Sequence, residues 1–258
     1  MDCNYYIARL AIKHCFAEIR INDVPIFKQN VYADLTLEIP INYTIEYSGL
    51  QTLRNQIYPE FGHTYLSHQA KCHVEIWRYD GSCTKIVPQE QVCKSLLSID
   101  KENRIIPYKS DSKIFVSNVA YQIKRWSACE EIKDVKLIST EVIEYYNKIG
   151  NLLKRKLFDE FLLYIKEREC NICTALYLDE NEISKRNDTL FQYLNNGFVL
   201  KPMTHKKQIQ AYANNRIVTL LDFDMRSALR FFNPETGEIL AIELLLGRKH
   251  GQNSLCII

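Results

Sequence analysis

The sequence predicts an α+β protein: an N-terminal antiparallel β-sandwich, jelly-roll or immunoglobulin-like, over residues 1–127, then helices packed on an antiparallel sheet over 128–258. Three features of the hydrophobic pattern predict this. Apolar residues recur with a period of two through the first half, with steps of three and four from about Thr140, and with a period of two again after Gly197. A period of two places apolar side chains on one face of a strand, and steps of three and four place them on one side of a helix.

The elements follow in order. Ala17, Ile19 and Ile21 alternate with Glu18 and Arg20, and Asn22-Asp23 supplies a turn before Val24. Leu35, Leu37, Ile39 and Ile41 alternate with Thr36, Glu38 and Pro40. Pro40 marks an edge strand or a bulge, because proline cannot donate to a central ladder. Ser48-Gly49 marks a loop, after which Leu53 and Ile57 continue the alternation. Ala70, Cys72, Val74 and Ile76 form another apolar face, expected to close at Tyr79-Asp80-Gly81. A last strand is expected from about Lys113 to Trp126, with Phe115, Val119, Tyr121 and Ile123 on one side.

The domain boundary is placed in SACEEIKDVKLIS, residues 127–139. Beyond it, Val142, Tyr146, Ile149, Leu153, Leu157, Phe161 and Ile165 line one side of an amphipathic helix, with an interruption expected at Gly150-Asn151. Glu141 and Glu144 near its start and Lys166 and Arg168 near its end complement the helix dipole. Asp179 with Glu182 spells a capping box for a second helix that stops at Asn195-Asn196-Gly197. Then Ile217, Thr219, Leu221, Phe223 and Met225 face one way, and Arg216, Asp222, Asp224 and Arg226 the other. FFNPETGEILAIELLLG reads as a hairpin around 233–237, with Leu240, Ile242, Leu244 and Leu246 buried on its second strand. Apolar positions are odd before the turn and even after it, so the loop must be even-numbered or carry a bulge. This register sets Arg230 diagonally near Glu243 on the polar face. No internal repeat is present.

Composition narrows the function classes. The chain has 258 residues, 47% hydrophobic and 25% charged, the proportions of a folded protein with one large or two ordinary domains. A net charge of +2 provides no global basic field, so no nucleic-acid partner is expected. The N-terminus MDCNYYIARLAIKHC lacks the pattern of a secretory signal, and no run approaches the ~18 apolar residues of a membrane span, so no membrane partner is expected. Nine cysteines without a framework suit a reducing compartment, and a cytoplasmic location is expected.

The residues that could carry chemistry form incomplete sets. Cys170 and Cys173 make a C-x-x-C, but no second ligand pair follows at zinc-finger spacing and the motif follows a long helix. Two packed or half-exposed thiols near a helix end are the simpler reading. His63, His68 and His73 are spaced by five, so on one strand His68 opposes the other two; His14, His205 and His250 stand alone. Asp222 and Asp224 share one strand face, where they could bind a metal or shift each other's pKa, although Arg226 and Arg230 beside them read more simply as a solvated charged surface. There is no G-x-S-x-G, P-loop or G-x-G-x-x-G; GRKHG at 247–251 is a short basic turn, and KRK (154–156) and HKK (205–207) are isolated. No catalytic residue, metal or cofactor is expected.

EIRINDVPIF, EIPINYTI and SGLQTLRNQIYP resemble the strand–turn–strand pattern of bacterial proteins with a jelly-roll or immunoglobulin-like N-terminal half, and LRFFNPETGEILAIELLLGRKHG resembles their closing segment. The resemblance is to cytosolic bacterial immunity proteins that neutralise toxins exchanged between competing cells, in particular by type VI secretion. It implies a non-catalytic inhibitor whose partner is a cognate secreted toxin and which works by occluding the toxin's active site. The sequence places the partner-binding face at Asp222, Asp224, Arg226, Arg230 and Glu243, where charge clusters beside a hairpin tip. Two other classes stay open. One is a small-molecule or carbohydrate-binding sandwich using Tyr43, Tyr47, Tyr58, Tyr65, Trp77 and Tyr79; the other is an enzyme in the C-terminal half.

Overall fold

A computed structural model describes residues 3–28, 33–82, 85–99, 105–204 and 206–258. The protein is α+β. Among the described residues it has fifteen strands in four antiparallel sheets, together with four α-helices. It divides into two compact units, Met1–Ile123 with Thr174–Tyr177, and Lys124–Cys173 with Leu178–Ile258. No described helix is long and apolar enough to cross a membrane.

The first unit contains β1 (Cys3–Lys13), β2 (Phe16–Ile21), β3 (Val24–Lys28), β4 (Leu35–Pro40), β5 (Gly49–Tyr58), β6 (Lys71–Ser82), β7 (Lys85–Ser98) and β8 (Lys109–Ser117). They form two four-stranded sheets, β4-β1-β6-β7 and β3-β2-β5-β8. Their inward faces share one core, with Leu10, Ile12, Val74 and Ile76 from the first sheet and Ile19, Ile21, Leu53 and Phe115 from the second. This layout is sandwich-like. The period-two segments named in the sequence supply Ile19, Ile21, Leu53, Val74, Ile76 and Phe115 because each pleat turns alternate side chains inward, and β1 adds Leu10 and Ile12. Asn22 and Asp23 both take positive φ, 52° and 59°, the two-residue turn that matches the twist of a hairpin. Pro40 ends an edge strand, as its missing donor requires.

Three local expectations are corrected and two further strands are found. Strand β6 runs through Tyr79-Asp80-Gly81 to Ser82, because register shifts near Trp77 and Tyr79 absorb the irregularity inside the ladder; residues 83–84 lie outside the described residues. Strand β8 spans Lys109–Ser117, so Val119 and Ile123 are buried on irregular chain and Trp126 opens a short 3₁₀ turn. Strands β1 and β7 lacked a clean signal. In β1 the consecutive Asn4, Tyr5 and Tyr6 are all buried, and apolar Ile7 and Ala11 occupy the outer face, so the period is blurred. The long helix divides at 155–157 and continues through Gly150-Asn151.

That division has a local cause. Helix α1 (Ser139–Lys154) and helix α2 (Phe158–Ala175) are separated by Lys156 at φ 58°. The Leu157 N–H bonds the Leu152 carbonyl at 3.0 Å and the Lys156 N–H bonds the Leu153 carbonyl at 3.1 Å, the paired bonds of a Schellman end with lysine in place of glycine. Gly150 is instead a packing requirement, since a Cβ there would stand 3.1 Å from Leu229 Cδ1.

The remaining elements are α3 (Glu180–Lys185), α4 (Asp188–Asn195), β9 (Val199–Leu200), β10 (Lys207–Tyr212), β11 (Ile217–Asp222), β12 (Arg230–Phe232), β13 (Ile239–Ala241), β14 (Leu246–Gly247) and β15 (Cys256–Ile257). The expected capping box is present: Asp179 accepts the Glu182 N–H at 2.8 Å and Glu182 accepts the Asp179 N–H at 2.9 Å. The expected second helix is two helices, α3 and α4, and the stop at Gly197 takes φ 84°. The predicted hairpin has Phe232 opposite Ile239, which leaves the even-numbered loop 233–238. The strands form sheets β10-β11-β14-β15 and β13-β12-β9. Val142, Tyr146, Ile149 and Leu153 of α1 pack with Phe161 and Ile165 of α2 on Val218, Leu220 and Leu246 of the larger sheet. Helices on an antiparallel sheet is therefore the observed arrangement of this unit.

Tyr146 joins these layers. Its hydroxyl is fully buried, donates to the Leu244 carbonyl at 2.8 Å, accepts the Leu220 N–H at 3.0 Å and lies 2.9 Å from the Thr219 hydroxyl. Phenylalanine at this position leaves a buried donor and a buried acceptor unpaired, each worth about 1–3 kcal/mol. The Y146F variant is expected to lose about 2–4 kcal/mol of unfolding free energy in urea denaturation, whereas Y145F, at the half-buried neighbour, loses less.

Candidate interaction site

The five residues the sequence grouped on one polar face do not share one. Strand β11 is buried along its whole length and stops at Asp222, where the chain turns. Met225 N–H bonds the Asp222 carbonyl at 2.9 Å, Met225 takes φ 62°, and Asp222 N–H closes the loop on the Arg226 carbonyl at 2.8 Å. This is a three-residue hairpin loop, a type I turn followed by a left-handed residue. Asp222 helps form it by accepting the Phe223 N–H at 2.8 Å, and Asp224 accepts the Arg226 N–H at 3.2 Å.

Arg230 of β12 is 4% exposed and Asp222 3% exposed, so the expectation of a solvated charged surface is corrected for both. The guanidinium forks between two carboxylates, Nη1 to Asp224 Oδ2 at 2.7 Å and Nη2 to Asp222 Oδ2, while the Thr204 hydroxyl donates to Asp222 Oδ1. Burial acts to raise the Asp222 carboxyl. The Thr204 hydroxyl, the Phe223 N–H and Arg230 outweigh it and hold the group below the ordinary carboxylate range. Glu243 is exposed and is not the partner of Arg230, which stands opposite Ala241; its charge acts on Arg168 of α2 instead. Arg226 is half-buried in the turn.

The consequence is the placement of Phe223. Alternation assigned it to the buried face, yet the strand ends one residue earlier and the ring projects from the turn, 70% exposed. Sequence reasoning missed it because the Asp222 side-chain bond to the next N–H, which ends the strand, is invisible to a parity count. The signal available was D-x-D itself, since aspartates favour turns by bonding the backbone two residues on.

An open cleft of about 830 Å³ lies in the second unit, between α1, α2 and the C-terminal segment. Helix α1 lies along the segment leading into β15 there. Glu141 Oε1 accepts the Leu255 N–H at 2.7 Å, and Tyr145 lines the cleft one turn further along the helix. Burial, with Cys256 and Tyr164 nearby, pushes the Tyr145 phenol up to about 12. Lys148 Nζ lies 4.6 Å from the centre of the Tyr164 ring.

The other candidates are dispersed. Cys170 and Cys173 sit in the last two turns of α2, one exposed and one buried, and burial raises the Cys173 thiol. His63 and His68 lie on the loop between β5 and β6, His73 is 3.3 Å from Glu75, and His205 lies outside the described residues. Among the described residues no three His, Cys, Asp or Glu side chains converge as metal ligands. Of the aromatic set proposed for sugar binding, Trp77 lies under the Arg9 guanidinium at 4.8 Å and Tyr79 is buried and bonded to the same arginine. Comparison with known proteins finds no matching family model, curated protein or solved structure.

Removing one partner of the Arg230–Asp222 pair strands a buried charge. The R230M and D222A variants are expected to lose about 3–5 kcal/mol each, and reversing Asp222 with Asp224 unfolds this hairpin rather than acting at the surface alone. The pH dependence has a defined sign. With the folded carboxyl below its unfolded value, the stabilisation is complete above about pH 4 and is lost as pH falls through the folded value. Urea midpoints measured between neutral and strongly acid pH should show this loss in the wild type and a weaker pH dependence in D222N.

Proposed function

We propose that the protein is a non-catalytic immunity protein that binds a cognate secreted toxin, of the kind delivered by type VI secretion, and occludes its active site in the cytoplasm. The observation that carries this reading is Phe223 on its turn. An aromatic ring held out in solvent by a loop whose ends are bonded, and whose base is braced by the forked Arg230, is an anchor with little conformational entropy left to lose on binding. Asp224 and Arg226 beside it supply charge of both signs for orienting a partner, while Glu243, whose charge acts on Arg168, lies outside this contact set. Asp222 and Arg230 take a different part, as the brace beneath the contact surface.

The scaffold we assign to the first unit is a β-sandwich. Two four-stranded sheets around one core match the strand count of a jelly roll, while the order β4-β1-β6-β7 is not the first-second-fifth-fourth order of an immunoglobulin sheet. A rigid wall of this kind suits an inhibitor, which must keep its contact surface in one conformation. A second reading, small-molecule binding, is favoured by the cleft beside Tyr145 and Tyr164, whose volume is that of a ligand site.

Affinity capture from the native cytosol, followed by mass spectrometry of the captured proteins, tests the first reading. A one-to-one complex in which a toxin's activity is lost is the expected result. In that complex F223A should weaken affinity on the order of 30-fold with an unchanged unfolding midpoint. Wild-type affinity in F223A removes this turn from the interface. A chain recovered alone with a metabolite released on denaturation supports the second reading.

A further inference from the structure

At one end of the first unit, apolar side chains project into solvent from two separate loops. Phe61 is 94% exposed and Tyr65 45% exposed on the loop between β5 and β6; Ile105 and Tyr108 are 70% and 56% exposed on the segment entering β8. The two loops are one surface. Leu66 N–H bonds the Ile106 carbonyl at 2.8 Å, Ile57 stands opposite Lys109, and Lys109 Nζ reaches the Ser98 carbonyl at 2.8 Å, beside the start of β6.

The projection is built into the fold. Leu66 and Ala70 are buried and pin the first loop to the core, while Gly62 at φ 86° and the His63 N–H bond to the Glu60 carbonyl, 3.0 Å, turn the chain outward at its tip. The apolar tips are thus held out by a loop whose own apolar anchors are satisfied.

A charge feature accompanies them. Lys13 and Lys71 stand directly opposite on β1 and β6 at this end, both exposed, and neither has an ion-pair partner among the described residues. Like charges directly opposite in a ladder are destabilising. An anion lying across the pair would relieve that cost.

We propose that this end of the first unit docks on an anionic phospholipid bilayer, with Phe61 and Ile105 entering the apolar boundary and Lys13 and Lys71 against the headgroup anions. Tyr65 and Tyr108 then lie at headgroup depth, the position amphipathic rings favour. A protein partner would have to match a pocket to each protruding side chain. A bilayer accepts apolar side chains from separate convex loops without shape matching, and its negative surface complements the lysine pair. This revises the sequence-based expectation of no membrane partner, and it is independent of the toxin reading.

Flotation of the full chain with vesicles tests it, using an equimolar phosphatidylserine–phosphatidylcholine mixture and phosphatidylcholine alone. Partition onto the anionic vesicles is expected to exceed that onto the neutral ones by about tenfold and to weaken with salt. The F61S/I105S variant should lower it by about tenfold or more, and K13E/K71E should abolish the anionic preference. Unfolding midpoints establish that the variants fold; F61A, at a nearly fully exposed position, replaces the double variant where its midpoint drops. No partition onto either vesicle, or binding retained by the folded apolar or lysine variants, overturns the proposal.

Discussion

The Tyr146 hydroxyl is the contact on which the second unit depends. A single oxygen with no exposure uses its donor and its acceptor capacity at once, on Leu244, Leu220 and Thr219. It therefore ties the middle of α1 to β11 and to the chain entering β14. Burial raises the phenol to about 12, since an ionised oxygen there would lose both water and its donated bond. Helix and sheet could slide past one another if only methyl groups met between them. A buried hydroxyl with its partners in fixed directions permits one register, and everything β11 positions downstream inherits it, including the Phe223 turn.

Edges are the second constraint. Strands β3, β4 and β7, three of the four edges in the first unit, contain Pro25, Pro40 and Pro88, and the fourth, β8, carries Lys109, Asp111 and Lys113. Proline removes a donor and charge resists stacking, so none of these edges offers a clean template for another strand. In the second unit a helix lies along the segment leading into β15, where Glu141 takes the Leu255 N–H. The surfaces left for recognition are turns and loop tips rather than ladders. That is why both proposed contact surfaces, the Phe223 turn and the Phe61 end, are built from side chains held out on bonded loops.

Where the sequence was legible, the cause was local. Asn22-Asp23 makes its turn because both residues tolerate left-handed backbone, and Asp179 with Glu182 caps a helix through bonds spanning three residues. Ile19 or Val74 needs only a strand's pleat to reach the core. Irregular stretches defeated the same logic: Val119 and Ile123 are buried without being in a strand, and Gly150 stays helical because Leu229, distant in sequence, needs the room.

By itself the sequence determined the α+β class, the switch from strand to helix near Thr140, a hairpin loop either even-numbered or bulged, and a Pro40 strand either at an edge or bulged, all of which follow from periodicity and backbone chemistry within a few residues. Only the tertiary structure decided which charges lie inside. Parity correctly separates Asp222 from Leu221, but it cannot tell whether the side it assigns to Asp222 meets water or another strand. Strand β12 brings Arg230 to that side, and a guanidinium within hydrogen-bond reach of two carboxylates turns an expected surface into a buried brace. Phe223 leaves its expected face through a local bond, the Phe223 N–H to Asp222, but the carboxylate that makes this bond is itself fixed by Thr204 and Arg230 from other segments.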